Sequence, residues 1–317
     1  GIKEILQVKL AKLDICAKFY ISDYNQYAQE ILNPKSKLYL FDPDLIIVFI
    51  DLISLLGDKY FLPFNISDEG RITFFKEKFS EIFGFIENLI NKTNAKIVFH
   101  NFQKPIYSPI GISDSKDNFG HLESIEKLNY SLRDECKSNN QVFILDYDAF
   151  CSKIGKENII DYKMYYLGDM RIRINYMPIL CDEYIPYIIS IIGLTKKCIV
   201  LDLDNTLWGG VVGEDGIEGI KIGPTPEGRP FMEFQQLLLS LHLRGVILAI
   251  NSKNNYDDAM RVIRNHPNMI LKEDHFAALR INWEDKATNL RSLAEEINIG
   301  LDSIVFIDDD EVNREIV

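Results

Sequence analysis

An apolar run of four residues leading straight into two carboxylates is the most chemically informative feature of this chain. Cys198-Ile-Val-Leu continues into Asp202-Leu-Asp204-Asn-Thr206-Leu-Trp208-Gly-Gly. In α/β sheets reacting groups belong beyond the carboxyl ends of strands, and where the chain turns out of the sheet both carboxylates can face one ligand. An Asp nucleophile with a second Asp beside it and a hard cation makes a phosphoryl-transfer site. The same residues also read as a polar strand end closing an Asx turn. Three later segments favour the chemical reading. The expected strand Val246–Ile250 ends in Asn251-Ser252-Lys253, where Ser252 can hydrogen-bond a phosphoryl oxygen. Lys286 follows Asn282-Trp283-Glu284-Asp285 at a helix start, where an ammonium can neutralise charge on the nucleophile and the transferring group. Ile304-Val-Phe-Ile ends in Asp308-Asp309-Asp310, a cluster that repels itself unless a cation binds it or water solvates it. Taken singly, Ser252 reads as a helix cap, Lys286 as a surface charge and the acidic run as a capping cluster.

The elements that must position these groups follow from periodicity. Short β-branched runs alternate with longer amphipathic stretches, the signature of βα units around a parallel sheet, so the fold class is α/β. In the first half, Leu45–Asp51, Lys96–His100 and Val142–Asp146 read as buried strands, with helices over Phe74–Ile90 and Leu122–Lys137. Phe75, Phe79, Ile82, Phe83 and Ile86 make one apolar helical stripe. In the second half, strands are expected at Cys198–Leu203, Val246–Ile250 and Ile304–Asp308, and helices at Phe231–Leu243, Tyr256–Arg264 and Trp283–Ile297. A boundary near Lys196 divides two units, 1–195 and 196–317. Neither a GxxxxGK[ST] nor a GxGxxG loop is present, which argues against a P-loop NTPase or a dinucleotide enzyme.

Composition excludes several classes. The 317 residues are 47% hydrophobic, enough for about two domains with real cores. Lys and Arg number 35 against 47 Asp and Glu, a net charge of −12 that argues against broad binding to nucleic acid or anionic lipid. The apolar runs are broken by Asp51, Pro186 or Gly193 well short of the ~18–20 residues of a membrane span. Cys16, Cys136, Cys151, Cys181 and Cys198 show no CxxC spacing, so neither a disulfide framework nor a zinc site is expected; a cytoplasmic location with mostly buried thiols is. Cys198 reads as a core thiol. The start at Gly1 rather than Met, and the end at Val317 in what reads as a helix just begun, suggest a fragment truncated in both units.

The set Asp-x-Asp-x-Thr, Ser, Lys and Asp-Asp, in that order, resembles the haloacid dehalogenase-like phosphotransferase superfamily. Receiver domains use similar residues but with the acidic pair first. The segments 202–216, Arg280-Ile-Asn-Trp-Glu and Phe306-Ile-Asp-Asp look like its FkbH-like branch, subfamily IIIC. Tyr27-Ala-Gln-Glu-Ile-Leu-Asn-Pro, Tyr39-Leu-Phe-Asp-Pro-Asp and His100-Asn-Phe are similar to that family's N-terminal domain of SGNH-hydrolase-like fold. The resemblance implies two doubly wound three-layer α/β/α domains, SGNH-like then haloacid dehalogenase-like. It also implies Mg2+-dependent action on a phosphorylated three-carbon substrate such as 1,3-bisphosphoglycerate, with passage of glyceryl to an acyl carrier protein as partner.

Carried onto this chain, the resemblance makes Asp202 the nucleophile, Asp204 the general acid and base, Thr206 the residue that positions Asp204, and Ser252 and Lys286 the holders of the phosphoryl group. Mg2+ falls to Asp202, the Asp204 carbonyl, Asp309 and Asp308. Two departures stand out. Asn251 occupies the place of a family Cys, which puts transfer in doubt, and Asp310-Glu311 replaces an Asn-Pro. The gaps between motifs are too short for a large cap, and Gly209–Arg229, rich in Gly and Pro, reads as a flap over an open site. The first unit offers no Ser nucleophile after its first strand and no Asp-x-x-His, so it is expected to be a non-hydrolytic platform, with His100 a satisfied strand-end residue. Three classes remain: an Mg2+-dependent phosphatase or acyl-phosphate transferase, a scaffold on a residual phosphatase fold, and an SGNH-type esterase.

Overall fold

The computed structural model describes residues 1–316. The chain divides into two compact units, Gly1–Gly193 and a second beginning at Leu194. In the first unit, β1 (Leu45–Val48), β2 (Lys96–His100) and β3 (Val142–Leu145) form a parallel sheet in the order β1-β2-β3. Its strands lie between two helical layers because successive side chains point to opposite faces. Ile97 and Phe99 join the helices Asp68–Lys92 and His121–Cys136 in one core; Val98 and Leu145 pack with Leu6, Leu180 and Tyr184 of the helices Ile2–Ala11 and Met177–Ile191 in another. The stripe on Asp68–Lys92 runs through Phe75, Ile82 and Ile86, with Phe85 and Leu89 added, while Phe79 and Phe83 are half-buried and stack on each other.

The second unit repeats the layering around β4 (Cys198–Leu201), β5 (Ile247–Ser252), β6 (Phe276–Ile281) and β7 (Ile304–Ile307), all parallel in the order β6-β5-β4-β7. The chain steps outward from β4 to β5 to β6, then crosses back to lay β7 on the other side of β4. That reversal is a topological switch point, and it falls at the strand leading into Asp202. Leu201, Leu248 and Ile250 pack with the helices Arg229–Leu243 and Tyr256–Asn265. Cys198, Val200 and Ala249 pack on the other face with Leu290, Leu293 and Ala294 of the helix Lys286–Ile297. Cys198 is thus a core thiol, and burial pushes its pKa up to about 11.

Periodicity alone does not reveal β6, the edge strand beside β5. Phe276-Ala-Ala-Leu-Arg-Ile lacks a β-branched run, and its extended form comes from pairing Ala278–Ile281 with Ala249–Ser252. The stretches between the motif segments hold a short flap and the αβ units of the sheet itself, not a separate globular domain, among the described residues. Nor is any helix among them long and apolar enough to cross a membrane.

His100 ends β2 fully buried, ringed by Phe49, Tyr147 and Tyr184, with Nε2 3.0 Å from the Tyr184 hydroxyl. Burial pushes its pKa down to about 3, against 6.5 in the unfolded chain. Between those values the unfolded state binds the extra proton, so stability falls as pH falls from about 6.5 towards 3. This residue alone is expected to make the protein roughly 2 kcal/mol less stable at pH 5 than at pH 7, and urea denaturation of His100→Phe at the two pH values should show a correspondingly flatter dependence.

Candidate active site

The carboxyl ends of β4, β5 and β7 bring Asp202, Ser252 and Asp308 together, and the helix Lys286–Ile297 delivers Lys286 from its first position. Asp202 continues β4, its amide donating to the Ile307 carbonyl at 2.9 Å. Ser252 is the last residue of β5 and is 1% exposed. Asp285 caps the helix by accepting from the Thr288 amide at 2.9 Å, which leaves Lys286 free to turn inward. The Lys286 ammonium donates to Asp308 Oδ2 and lies 3.1 Å from Asp202 Oδ1, an ion-pair contact that is not aligned as a hydrogen bond. All three side chains are buried.

Burial pushes the Asp202 carboxyl above the usual aspartate range; the Lys286 ammonium, the Ser252 hydroxyl and the Leu203 amide oppose that shift, and Asp308 adds to it. Asp309 completes the cluster from an exposed position: one carboxylate oxygen from each of Asp202, Asp308 and Asp309 lies within 4.8 Å of the others. Three carboxylates against one ammonium leave an excess of negative charge, and among the described residues Asp202 Oδ1 is a buried oxygen without a hydrogen-bond donor. An all-oxygen set of this kind fits a hard divalent cation such as Mg2+. Asp310 stands apart from the cluster as a helix cap, accepting from the Val312 amide and the Asn313 side chain, both at 2.9 Å. The acidic run therefore divides its labour, with two residues on the cluster and one on the chain that follows.

Asp204 is not one of the three clustered carboxylates. Its Oδ1 accepts from Trp208 Nε1 at 2.8 Å and from the Val212 amide at 3.0 Å, and its Oδ2 accepts from Asn254 Nδ2 at 2.7 Å. Thr206, expected to position Asp204, does not bond it among the described residues; its amide donates to the Leu203 carbonyl at 3.1 Å and closes the turn. Asn205, at φ +54°, accepts from the Gly210 amide at 2.8 Å, so the segment also contains the Asx-type turn.

The flap is short and pinned at its base. Gly209 and Lys221 exchange backbone hydrogen bonds of 3.0 and 2.7 Å, and a helix, Val212–Gly219, lies between them. Gly209 is required there because a Cβ would stand 2.7 Å from the Phe231 ring. Gln235, fully buried, donates to the Leu207 carbonyl at 2.8 Å and accepts from the Ile270 and Leu271 amides, tying the motif loop to the chain before β6. Asn251 is also fully buried: its Nδ2 donates to the Lys286 carbonyl at 2.8 Å, so this position supports the start of the Lys286 helix rather than facing solvent. Sequence reasoning missed Trp208, Gln235 and Asn254 as structural partners of the site, although Trp208 and Asn254 lie within a few residues of Asp204 and Ser252.

A parallel α/β/α unit with clustered carboxylates and one lysine at its switch point defines a class of protein suited to binding a divalent cation and a phosphoryl group. The family described as FkbH, N-terminal domain, matches residues 8–189, more than half of the chain, and the protein belongs to that family. No curated protein sequence matches it. A crystal structure of the N-terminal part of protein BF1531 from Bacteroides fragilis, containing a phosphatase domain complexed with Mg, is similar over 100% of this chain and 82% of that one, with 30% identity and a TM-score of 0.88.

Removing the lysine would leave two buried carboxylates facing each other. Lys286→Met is expected to destabilise the protein by about 3–5 kcal/mol in urea denaturation without divalent cations, and Asp308→Asn in the same chain should recover part of that loss.

Proposed function

We propose that the second unit is an Mg2+-dependent phosphatase of the haloacid dehalogenase-like kind, with Asp202 as nucleophile. The observation that supports this most is the buried Asp202–Lys286–Asp308 cluster, with Asp309 beside it, at the switch point of the sheet. Asp202, Asp308 and Asp309 would hold the cation, joined by the Asp204 backbone carbonyl. When bound, Mg2+ supplies positive charge that draws phosphoryl oxygens towards the carboxylates.

In the first half-reaction an Asp202 oxygen bonds to phosphorus as the bond to the leaving oxygen breaks. The leaving oxygen keeps that electron pair and takes a proton from Asp204. In the second, Asp204 removes a proton from water, whose oxygen attacks the aspartyl-phosphate and frees Asp202 and inorganic phosphate. The Ser252 hydroxyl donates to a phosphoryl oxygen, and the Lys286 ammonium offsets charge on the phosphoryl group and Asp202.

The substrate in this reading is a phosphorylated three-carbon acid such as 1,3-bisphosphoglycerate, and the partner an acyl carrier protein. The short flap and the lack of a large inserted domain among the described residues support access for a carrier's phosphopantetheine arm. The buried Asn251 amide offers no thiol for a covalent acyl intermediate, so phosphate release does not depend on this position and glyceryl loading would have to proceed without one. In the first unit, several polar groups beyond β1–β3 serve the fold. Asp51 and Asp146 cap helices, and the Asn101 side chain bonds Asp146 and the Asp148 amide, which supports a non-hydrolytic platform.

Intact-mass spectrometry with Mg2+, enzymatically generated 1,3-bisphosphoglycerate and a phosphopantetheinylated carrier, alongside a phosphate assay, tests both halves. Phosphate release should vanish in Asp202→Asn and in EDTA, and glyceryl on the carrier should appear only with unmodified Asp202. Phosphate release with an unmodified carrier would restrict the function to dephosphorylation. Silence in both channels would overturn it, and Mg2+-independent esterase activity persisting in Asp202→Ala would point instead to the first unit.

A further inference from the structure

The donors around Asp204 come from two different loops, and each carboxylate oxygen is assigned to one of them. Oδ1 is held by the chain that follows, through the Trp208 indole and the Val212 amide. The Val212 amide belongs to the first residue of the helix Val212–Gly219, so Asp204 satisfies one of the donors that a helix start leaves without an internal partner. Oδ2 is held from the loop after β5, by Asn254 Nδ2 alone among the described residues. Both donors are buried, Trp208 fully and Asn254 at 5% exposure, while Asp204 itself is half-buried. With a carboxylate as acceptor, the Asn254 amide must present its NH2 group.

We propose that Asn254 and Trp208 are positioning residues that clamp the Asp204 carboxylate from opposite loops and fix its orientation towards the substrate. Oδ1 accepts two donors and Oδ2 accepts one among the described residues, so Asn254 sets the direction in which the less occupied oxygen points. This role rests on the reading of Asp204 as general acid and base. It replaces Thr206 as the source of Asp204's orientation, and it links the flap helix to that carboxylate through the Val212 amide.

The isosteric change Asn254→Asp, set beside Asn254→Ala, separates donation from packing. If Asn254 only fills space, Asp is the milder change because it keeps the shape. If it donates, Asp is the harsher change because it sets one carboxylate against another. The expected result is a kcat about 10- to 100-fold lower in Asn254→Ala and lower still in Asn254→Asp, with KM and the half-saturating Mg2+ concentration unchanged. Asn254→Asp with the wild-type kcat, or with a smaller loss than Asn254→Ala, overturns the proposal.

A second readout needs no turnover. The indole N–H resonance of buried Trp208 in the 15N-labelled protein should exchange slowly and should move in Asp204→Asn and in Asn254→Asp. A Trp208 resonance unmoved in both variants overturns the clamp even if phosphatase activity is present. Loss of all phosphate release in the wild type with the resonance shifts intact would remove the catalytic reading and leave the clamp standing as a feature of the fold.

Discussion

The Lys286 ammonium, shared between Asp202 and Asp308 in a buried pocket, is the interaction on which the rest of the second unit depends. Each of these charges alone would be costly to bury, and together they are tolerable only while the geometry holds. That geometry has four sources: β4 for Asp202, β7 for Asp308, β5 for Ser252, and a capped helix start for Lys286. Asn251 fixes the backbone at Lys286 and the Asp285 cap fixes the turn before the helix, so the ammonium is placed by its surroundings rather than by its own flexible stem.

The same architecture serves two ends in the two units. Both place polar residues beyond parallel strands, as α/β layering favours. In the first unit those residues are spent on the fold: Asp51 and Asp146 cap helices, and His100 is neutral and packed among aromatic rings. In the second unit the carboxylates outnumber the lysine, and among the described residues an oxygen of Asp202 lacks a donor. An uncompensated buried charge is the physical mark that separates a site for a charged ligand from a finished piece of core, and fold class alone does not supply it.

The flap shows how loop economy bears on chemistry. Its base is closed by a single pair of backbone bonds between Gly209 and Lys221, and its helix begins on the Asp204 carboxylate. Gln235 braces the motif loop from beneath through three hydrogen bonds, two of them to backbone amides just before β6. The motif loop is thereby braced with no inserted domain between the motif segments among the described residues.

Much of this was legible from residue types and spacing. Apolar runs located the cores of β1 to β5 and β7 to within a few residues, because a buried parallel strand must be continuously apolar, and the residues that now meet at the switch point were each visible beyond a strand or at a helix start. What tertiary structure decided is the partner of each group. β6 became a strand by pairing with β5, since its own residues favour no one state. Asn254 and Trp208 gained their meaning from Asp204, Gln235 from backbone groups 28 to 36 residues away, and Asn251 from the Lys286 carbonyl. A sequence specifies which chemical groups are present and which local form they favour; direction, burial and hydrogen-bond partnership arise only when distant segments converge.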